Sequence, residues 1–307
     1  MKYIEQQRLK ALSLVGSMFK DPCGGRFLGK EREFVLKNGR LNLHHSIAVA
    51  AEAYFKKHRI GFWHSYKGGP SGHLLSSQVA CINHLFFARL HSNVATAILQ
   101  GIDGSVSSAV AFADDGYVDF ELIGKANYLG EKEHTRGAKS TSIDAVMVGK
   151  MQDGTNKVFF IEWKYTESYT SLNKADGTSG ATRVKTYSKL LSAPDCPLIA
   201  NDVKALFIEP YYQLMRQTLL AYEMVKALEL GATDYMHIHA IPTANKELKG
   251  VKTSASLPGT DLDSAWKGVL KQPEKYLAID PESFLAPAKQ YGEAKELLDY
   301  LQKRYWQ

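Results

Sequence analysis

In the stretch FFIEWKYTES (Phe159 to Ser168), Glu162 and Lys164 stand two positions apart, directly behind an apolar run that begins at Val158. Successive residues of a strand point to opposite faces, so the carboxylate and the ammonium share one face and Trp163 takes the other. Two charges brought to the end of a buried strand form either a structural ion pair or a chemical centre, because neither can be buried alone. A second apolar run, STSIDAVMVGK (Ser140 to Lys150), holds a single carboxylate, Asp144. The polar turn KMQDGTNK joins the two runs, and its Asp153-Gly154 pair is a strong hairpin signal. Adjacent strands would set Asp144 beside Glu162 and Lys164.

That trio, Ile-Asp, seventeen intervening residues and then Glu-Trp-Lys, suits phosphoryl chemistry. Two carboxylates on neighbouring strands can hold Mg²⁺, a hard cation that keeps several waters, with the Trp163 carbonyl as a third ligand. A metal there would polarise a phosphoryl oxygen and lower the pKa of a bound water. Lys164 would orient that water or stabilise the charge developing on the phosphorus oxygens.

An apolar strand with Asp, a turn and an apolar strand ending in Glu-x-Lys resembles the PD-(D/E)xK nuclease superfamily. RGAKSTSIDAVMVG with FFIEWKYTESY is similar to the restriction endonucleases within it, and the likeness covers mainly Phe120 to Ile241. The resemblance implies a restriction-endonuclease-like α/β fold, a mixed central β-sheet flanked by helices. It also implies an endonuclease of the restriction or defence kind that hydrolyses DNA with Mg²⁺, or Mn²⁺ in its place. Asp144 matches the metal-binding aspartate, Glu162 the second acidic ligand and Lys164 the catalytic lysine, while Ile143 replaces the proline before the family's aspartate.

Members often add an acidic residue from an earlier helix or strand and a Gln from the helix after the lysine. Glu52, Glu121 and Glu131 compete for the first role. Glu121, on the preceding strand, has the shortest route, and a solvent-facing glutamate is the alternative for each. Gln213, in YYQLMRQ, resembles the family Gln and shares a helical face with Gln217, with Arg216 one position round; a polar helix face is its alternative. DNA is the expected partner, with a homodimer where both strands are cut, although no dedicated dimer element is visible. An exonuclease and a non-catalytic nucleic-acid-binding module are the rival readings, and the complete acid-acid-lysine set argues against the second.

Several elements must position these residues. HHSIAVAAEAYFKKH gives an Ala-rich amphipathic helix within a mostly helical N-terminal region. SYKGGPSGH reads as a loop, and SSQVACINHLFFARLHSNVATAIL as one long, Ser-capped, largely buried helix. GYVDFELIG alternates as a strand, with Val118, Phe120 and Leu122 on one face and Asp119 and Glu121 on the other. YTSLNKADGTSGATRVKTYSKL reads as a polar loop, a binding segment or a mobile lid; Tyr165, Tyr169 and Tyr187, interleaved with Lys174, Arg183 and Lys185, could stack on bases and contact phosphates, and an ordinary surface loop is the alternative. YYQLMRQTLLAYEMVKALELG is a helix stopped by Gly231, DYMHIHAIPT a strand closed by Pro242, and the chain ends in a helix. The expected organisation is a basic helical region (1–75), a nuclease core (76–250) and a C-terminal loop and helix (251–307).

The remaining chemistry is mostly excluded. His237 and His239 share a strand face without a third ligand nearby, and His44-His45, adjacent on a helix, are expected to point apart. SYKGGPSGH lacks the Gly-Lys-Ser/Thr ending of a phosphate loop, so no organic cofactor is expected. Cys23, Cys81 and Cys196 are too few and too scattered for a disulfide framework or a zinc cluster. No apolar run reaches the roughly 20 residues of a membrane span and no secretion signal is evident, so a soluble, cytoplasmic protein is expected. The formal charge is +6, and residues 1–60 carry twelve Lys/Arg against five Asp/Glu, which suits either a phosphate-binding surface or a basic solvated face.

Overall fold

Where the apolar runs hydrogen-bond decides the architecture. The computed structural model describes residues 1–65, 68–136, 140–169, 172–199, 201–250 and 254–306; parts of SYKGGPSGH, RGAKSTS and YTSLNK lie outside the described residues. The chain opens with helix α1 (Tyr3–Ser13), the hairpin β1 (Gly25–Phe27) and β2 (Lys30–Arg32), and helix α2 (His45–Lys57). Helices α3 (Ser77–Leu90) and α4 (Ser92–Ile102) lead into strands β3 (Val106–Ala109), β4 (Asp119–Leu122), β5 (Ile143–Met151) and β6 (Asn156–Trp163). Then follow α5 (Gly177–Leu191), α6 (Tyr211–Lys226), β7 (Asp234–Ala240), α7 (Lys246–Lys249), α8 (Leu262–Lys267), β8 (Tyr276–Ile279), α9 (Pro281–Leu285) and α10 (Lys295–Arg304).

Six of these strands form one sheet in the order β3-β5-β6-β7-β8, with β4 also paired to β5. β3 and β4 run antiparallel to β5, β5 antiparallel to β6, and β7 and β8 parallel to β6. The sheet is therefore mixed and flanked by helices, as a restriction-endonuclease-like fold requires. Gly154, at φ +86°, makes the β5–β6 turn where the Asp-Gly pair predicts it.

Strand alternation sorts β6 between two cores. Phe159, Ile161 and Trp163 pack with α2, α3 and α4, whereas Val158 and Phe160 pack with α6 and α8. Glu162 shares the parity of Phe160 and so faces α6 at the sheet's end. Helix α3 starts where Ser76 accepts a hydrogen bond from the Val79 N–H at 3.3 Å.

Four expectations need correction. The long Ser-capped helix is two helices, interrupted at His91, whose backbone is extended (φ −129°, ψ 103°). The terminal helix is likewise divided, with Pro287 and Gly292 lying between α9 and α10. The polar stretch after β6 forms α5, because Tyr187 buries its ring against Phe207 and Tyr212, a tertiary gain that overrides weak helix propensity. The N-terminal region is mostly helical, as expected, and adds a hairpin whose turn holds Leu28 and Gly29 at φ +49° and +77°. In β4 the simple alternation fails. Glu121 adopts φ +53°, so Phe120 joins one core and Leu122 the other, and both Asp119 and Glu121 are buried.

Phe160 lies fully buried in the sheet, one residue from Ile161 and two from Glu162. Phe160→Ala is expected to cost about 3–5 kcal/mol, measured as a lower urea midpoint at unchanged slope.

Candidate active site

Position 144 of β5 stands opposite position 162 of β6, since the register pairs Ala145 with Ile161 and Val146 with Phe160. Asp144 is fixed by its Oδ2, which accepts a hydrogen bond from the Trp163 N–H at 2.8 Å. Lys164 continues past β6, its own N–H donating to the Ala240 carbonyl of β7 at 2.8 Å. Its ammonium reaches back to Glu162 Oε1 at 2.5 Å, and the two side chains are among the most buried charges in the protein, 4% and 1% exposed.

Helix α6 supplies the rest of the cage. Gln213 Oε1 accepts from the Lys164 ammonium at 2.6 Å and from the Tyr169 hydroxyl at 3.3 Å. Gln217, one turn along, donates to Glu162 Oε2. Two glutamines at i and i+4 thus hold one charge each. Lys164 also lies 5.6 Å from the Tyr169 ring centroid.

Glu121 enters from β4. Its Oε1 accepts from Gln78 Nε2 of α3 and its Oε2 from the Ser142 hydroxyl, both at 2.9 Å. The left-handed backbone of a non-glycine residue costs about 1–3 kcal/mol and tends to persist where surrounding structure enforces it. Here the two hydrogen bonds fix the side chain to which that backbone is committed.

Of the three competing glutamates, the structure brings only Glu121 to Asp144 and Glu162. Glu52 pairs with Arg40 at 3.4 Å, away from the groove. Glu131 accepts from the Thr141 N–H at 2.6 Å and from the Tyr187 hydroxyl at 2.6 Å, tying the start of β5 to α5. The groove, about 640 Å³, takes in Glu121, Asp144, Glu162, Lys164, Gln213 and Gln217 together. Gln78 and Gln217 stood in the sequence as a helix-cap neighbour and a polar face. Their type was visible, but the strand each would face was not.

Electrostatics follow from the crowding. Burial, then Glu162 and Glu121, push the Asp144 carboxyl well above the usual carboxylate range, against the pull of Lys164 and the Trp163 N–H. Burial raises Glu121 as well, opposed by hydrogen bonds from Gln78 and Ser142; Glu162 adds to the rise, and the nearby Trp63 side chain opposes it. Burial disfavours the Lys164 charge, but Glu162, Tyr169, Glu167 and Asp144 together outweigh it, and the ammonium stays charged well above the ordinary lysine value. Cys81, beneath the carboxylates, is kept a neutral thiol by burial and by Asp144, Glu121 and Glu162.

Other candidate residues lie elsewhere. Tyr165 is buried and donates to Gln7 at 3.0 Å, and Tyr187 is committed to Glu131, so of the three tyrosines only Tyr169 lines the groove. Arg183 donates to the Lys174 carbonyl at 3.1 Å, and Lys185 is exposed on α5. His237 and His239 are buried and neutral, bonded through Nδ1 to Thr218 and Tyr276 at 3.0 Å each. His44 and His45 do not point apart. His44 caps α2 rather than lying in it, and the two rings approach to 4.4 Å. Among the described residues, His44, His45 and Glu296 are the one set of three possible ligand atoms within 4.8 Å of one another. No three carboxylates of the groove are so close.

The raised carboxyls set a sign for pH dependence. A carboxyl that titrates higher in the folded protein stabilises it at low pH, and that stability is lost as pH rises from the unfolded value, 3.8 for Asp, through the raised one. Asp144→Asn is therefore expected to melt above wild type at pH 8 in EDTA, with the gap closing toward pH 4. Scanning calorimetry at both pH values checks it, and a variant that melts below wild type at pH 8 would contradict it.

No match was found among curated proteins or among solved structures. No helix among the described residues is long and apolar enough to cross a membrane. One protein family, described as restriction endonuclease associating with ARP, matches residues 16–306. Over nearly its whole length the chain thus belongs to this family, whose description marks a nuclease of the restriction or defence type acting on DNA.

Proposed function

We propose that the groove hydrolyses phosphodiester bonds within DNA, as a metal-dependent endonuclease with a PD-(D/E)xK site. The observation that carries this reading is the convergence of Asp144, Glu162 and Lys164 from two hydrogen-bonded strands onto one groove.

The donor set fits Mg²⁺, with Mn²⁺ in its place: the side chains are oxygen donors, and burial crowds their charges where a cation would relieve them. Asp144 and Glu162 would hold the ion with the Trp163 carbonyl, and Glu121 stands behind them. When bound, it would supply Lewis acidity toward the scissile phosphate and acidify water.

The protein's own residues do the rest. Lys164, held charged and aimed by Gln213, donates to phosphate oxygens as negative charge builds there; a lysine this firmly protonated serves electrostatic stabilisation rather than proton abstraction. Gln217 fixes Glu162 so that Lys164 and the substrate meet one carboxylate orientation. Cutting both strands of a duplex calls for a second site, which a homodimer supplies.

Lys164→Ala is expected to bind DNA like wild type and to lose at least about 100-fold of its cleavage rate, read on supercoiled plasmid with Mg²⁺. Closed circles also separate this from an exonuclease, which would leave them intact. Cutting at the wild-type rate would remove Lys164 from the mechanism. Mn²⁺ or Mg²⁺ is expected to raise the melting temperature of wild type but not of Asp144→Ala, a readout independent of turnover.

A further inference from the structure

One wall of the groove is aromatic. Trp63, 45% exposed, lies at its rim with Phe27 and His64, and these rings line the same groove as Asp144 and Glu162. Phe27, at the end of β1, meets His64 edge-on at 4.9 Å and His73 at 4.5 Å, while Trp63 and His64 are 6.4 Å apart. None of these rings serves the carboxylate-lysine chemistry.

The platform is nevertheless wired to it. The Trp63 backbone N–H donates to Gln78 Oε1 at 3.0 Å, and the same Gln78 side chain donates to Glu121. The Trp63 side chain lies near enough to Glu121 to favour its charge. A tryptophan whose backbone is held by Gln78 while nearly half of the residue stays exposed is an apolar plate with no partner for its open area among the described residues. Such a plate suits the face of a nucleobase, because every base has a π-face and stacking tolerates any sequence. The hairpin beside it exposes Arg26, Lys30 and Arg32, alternating with Glu31 and Glu33, and these cations suit the phosphates flanking a stacked base.

We infer that Trp63, backed by Phe27 and His64, is a stacking subsite for an unpaired nucleobase next to the scissile phosphate. The inference rests on the nuclease reading above and refines its substrate to DNA that is single-stranded, or opened, at the cut. In an intact duplex the bases face one another and their planes are covered by neighbours. The plate engages only a base that has left the stack.

The test uses the full chain carrying Lys164→Ala, so that binding is read without turnover, and a single-stranded oligonucleotide with one 2-aminopurine, alone and as a duplex. The single strand is expected to bind more tightly than the duplex and to have its fluorescence quenched. Adding Trp63→Ala should weaken single-strand binding by about 5- to 150-fold and abolish the quenching, whereas Trp63→Phe should keep most of both. Equal affinity and quenching with and without the indole, in proteins of equal melting temperature, would overturn the subsite and leave the nuclease reading intact. So would loss of both in Trp63→Phe, which would assign Trp63 to holding Glu121 through its N–H. A protein that neither binds nor, with Lys164 present, cuts any DNA would overturn both readings.

Discussion

The contact between Lys164 and Glu162 is the constraint around which the centre of this protein is built. An ammonium and a carboxylate that are 4% and 1% exposed cannot each rely on water, and removing either would strand the other at a cost of several kcal/mol. Their survival demands that every remaining donor and acceptor be met. Gln213 meets Lys164 and Gln217 meets Glu162, which in turn fixes the rotation of α6 about its axis and hence the half of the core that packs behind it. A hydrophobic pair of the same size would hold the strand end at least as well. The charges are therefore better explained by what they do in the groove than by what they contribute to the fold.

Neutral glutamines, rather than further charges, solve this problem for an electrostatic reason. Three carboxylates against one ammonium leave two negative charges uncompensated, and the molecule answers by favouring protons on Asp144 and Glu121. An arginine at Gln213 or Gln217 would halve that deficit. Gln satisfies the lone pairs and protons while leaving the deficit in place, and a deficit of two is what a divalent cation offsets. The same crowding that disfavours the charged carboxylates is what the proposed cation would relieve.

Legibility in the sequence followed the range of the forces. The hairpin around Asp144 and Glu162 was readable because a nine-residue and an eight-residue apolar strand joined by Asp-Gly specify both pairing and register locally. Strands β3 and β8, four residues each, are too short for any period to emerge and exist because β5 and β7 offer them free edges. Helix α5 carries Gly, Ser and Thr that argue for a loop, and one buried tyrosine decides otherwise. The register placed Asp144 against Glu162, but it could not choose among Glu52, Glu121 and Glu131, since that choice depends on which side chain the tertiary packing turns inward.

Glu121 shows why the last step escapes periodicity altogether. Regular alternation would keep Phe120 and Leu122 in one core. The left-handed residue between them divides the two between opposite cores instead, so the strand serves both layers while its carboxylate is carried to the metal-binding candidates. A glycine could hold that backbone without strain, but it would bring no carboxylate. The strain is accepted at the one position where the conformation and the carboxylate are both required. Gln78, which donates to the carboxylate from the other side and accepts from the Trp63 backbone N–H, extends the same device to the groove wall, so that the orientation of the acid and the placement of the aromatic plate are set by one network.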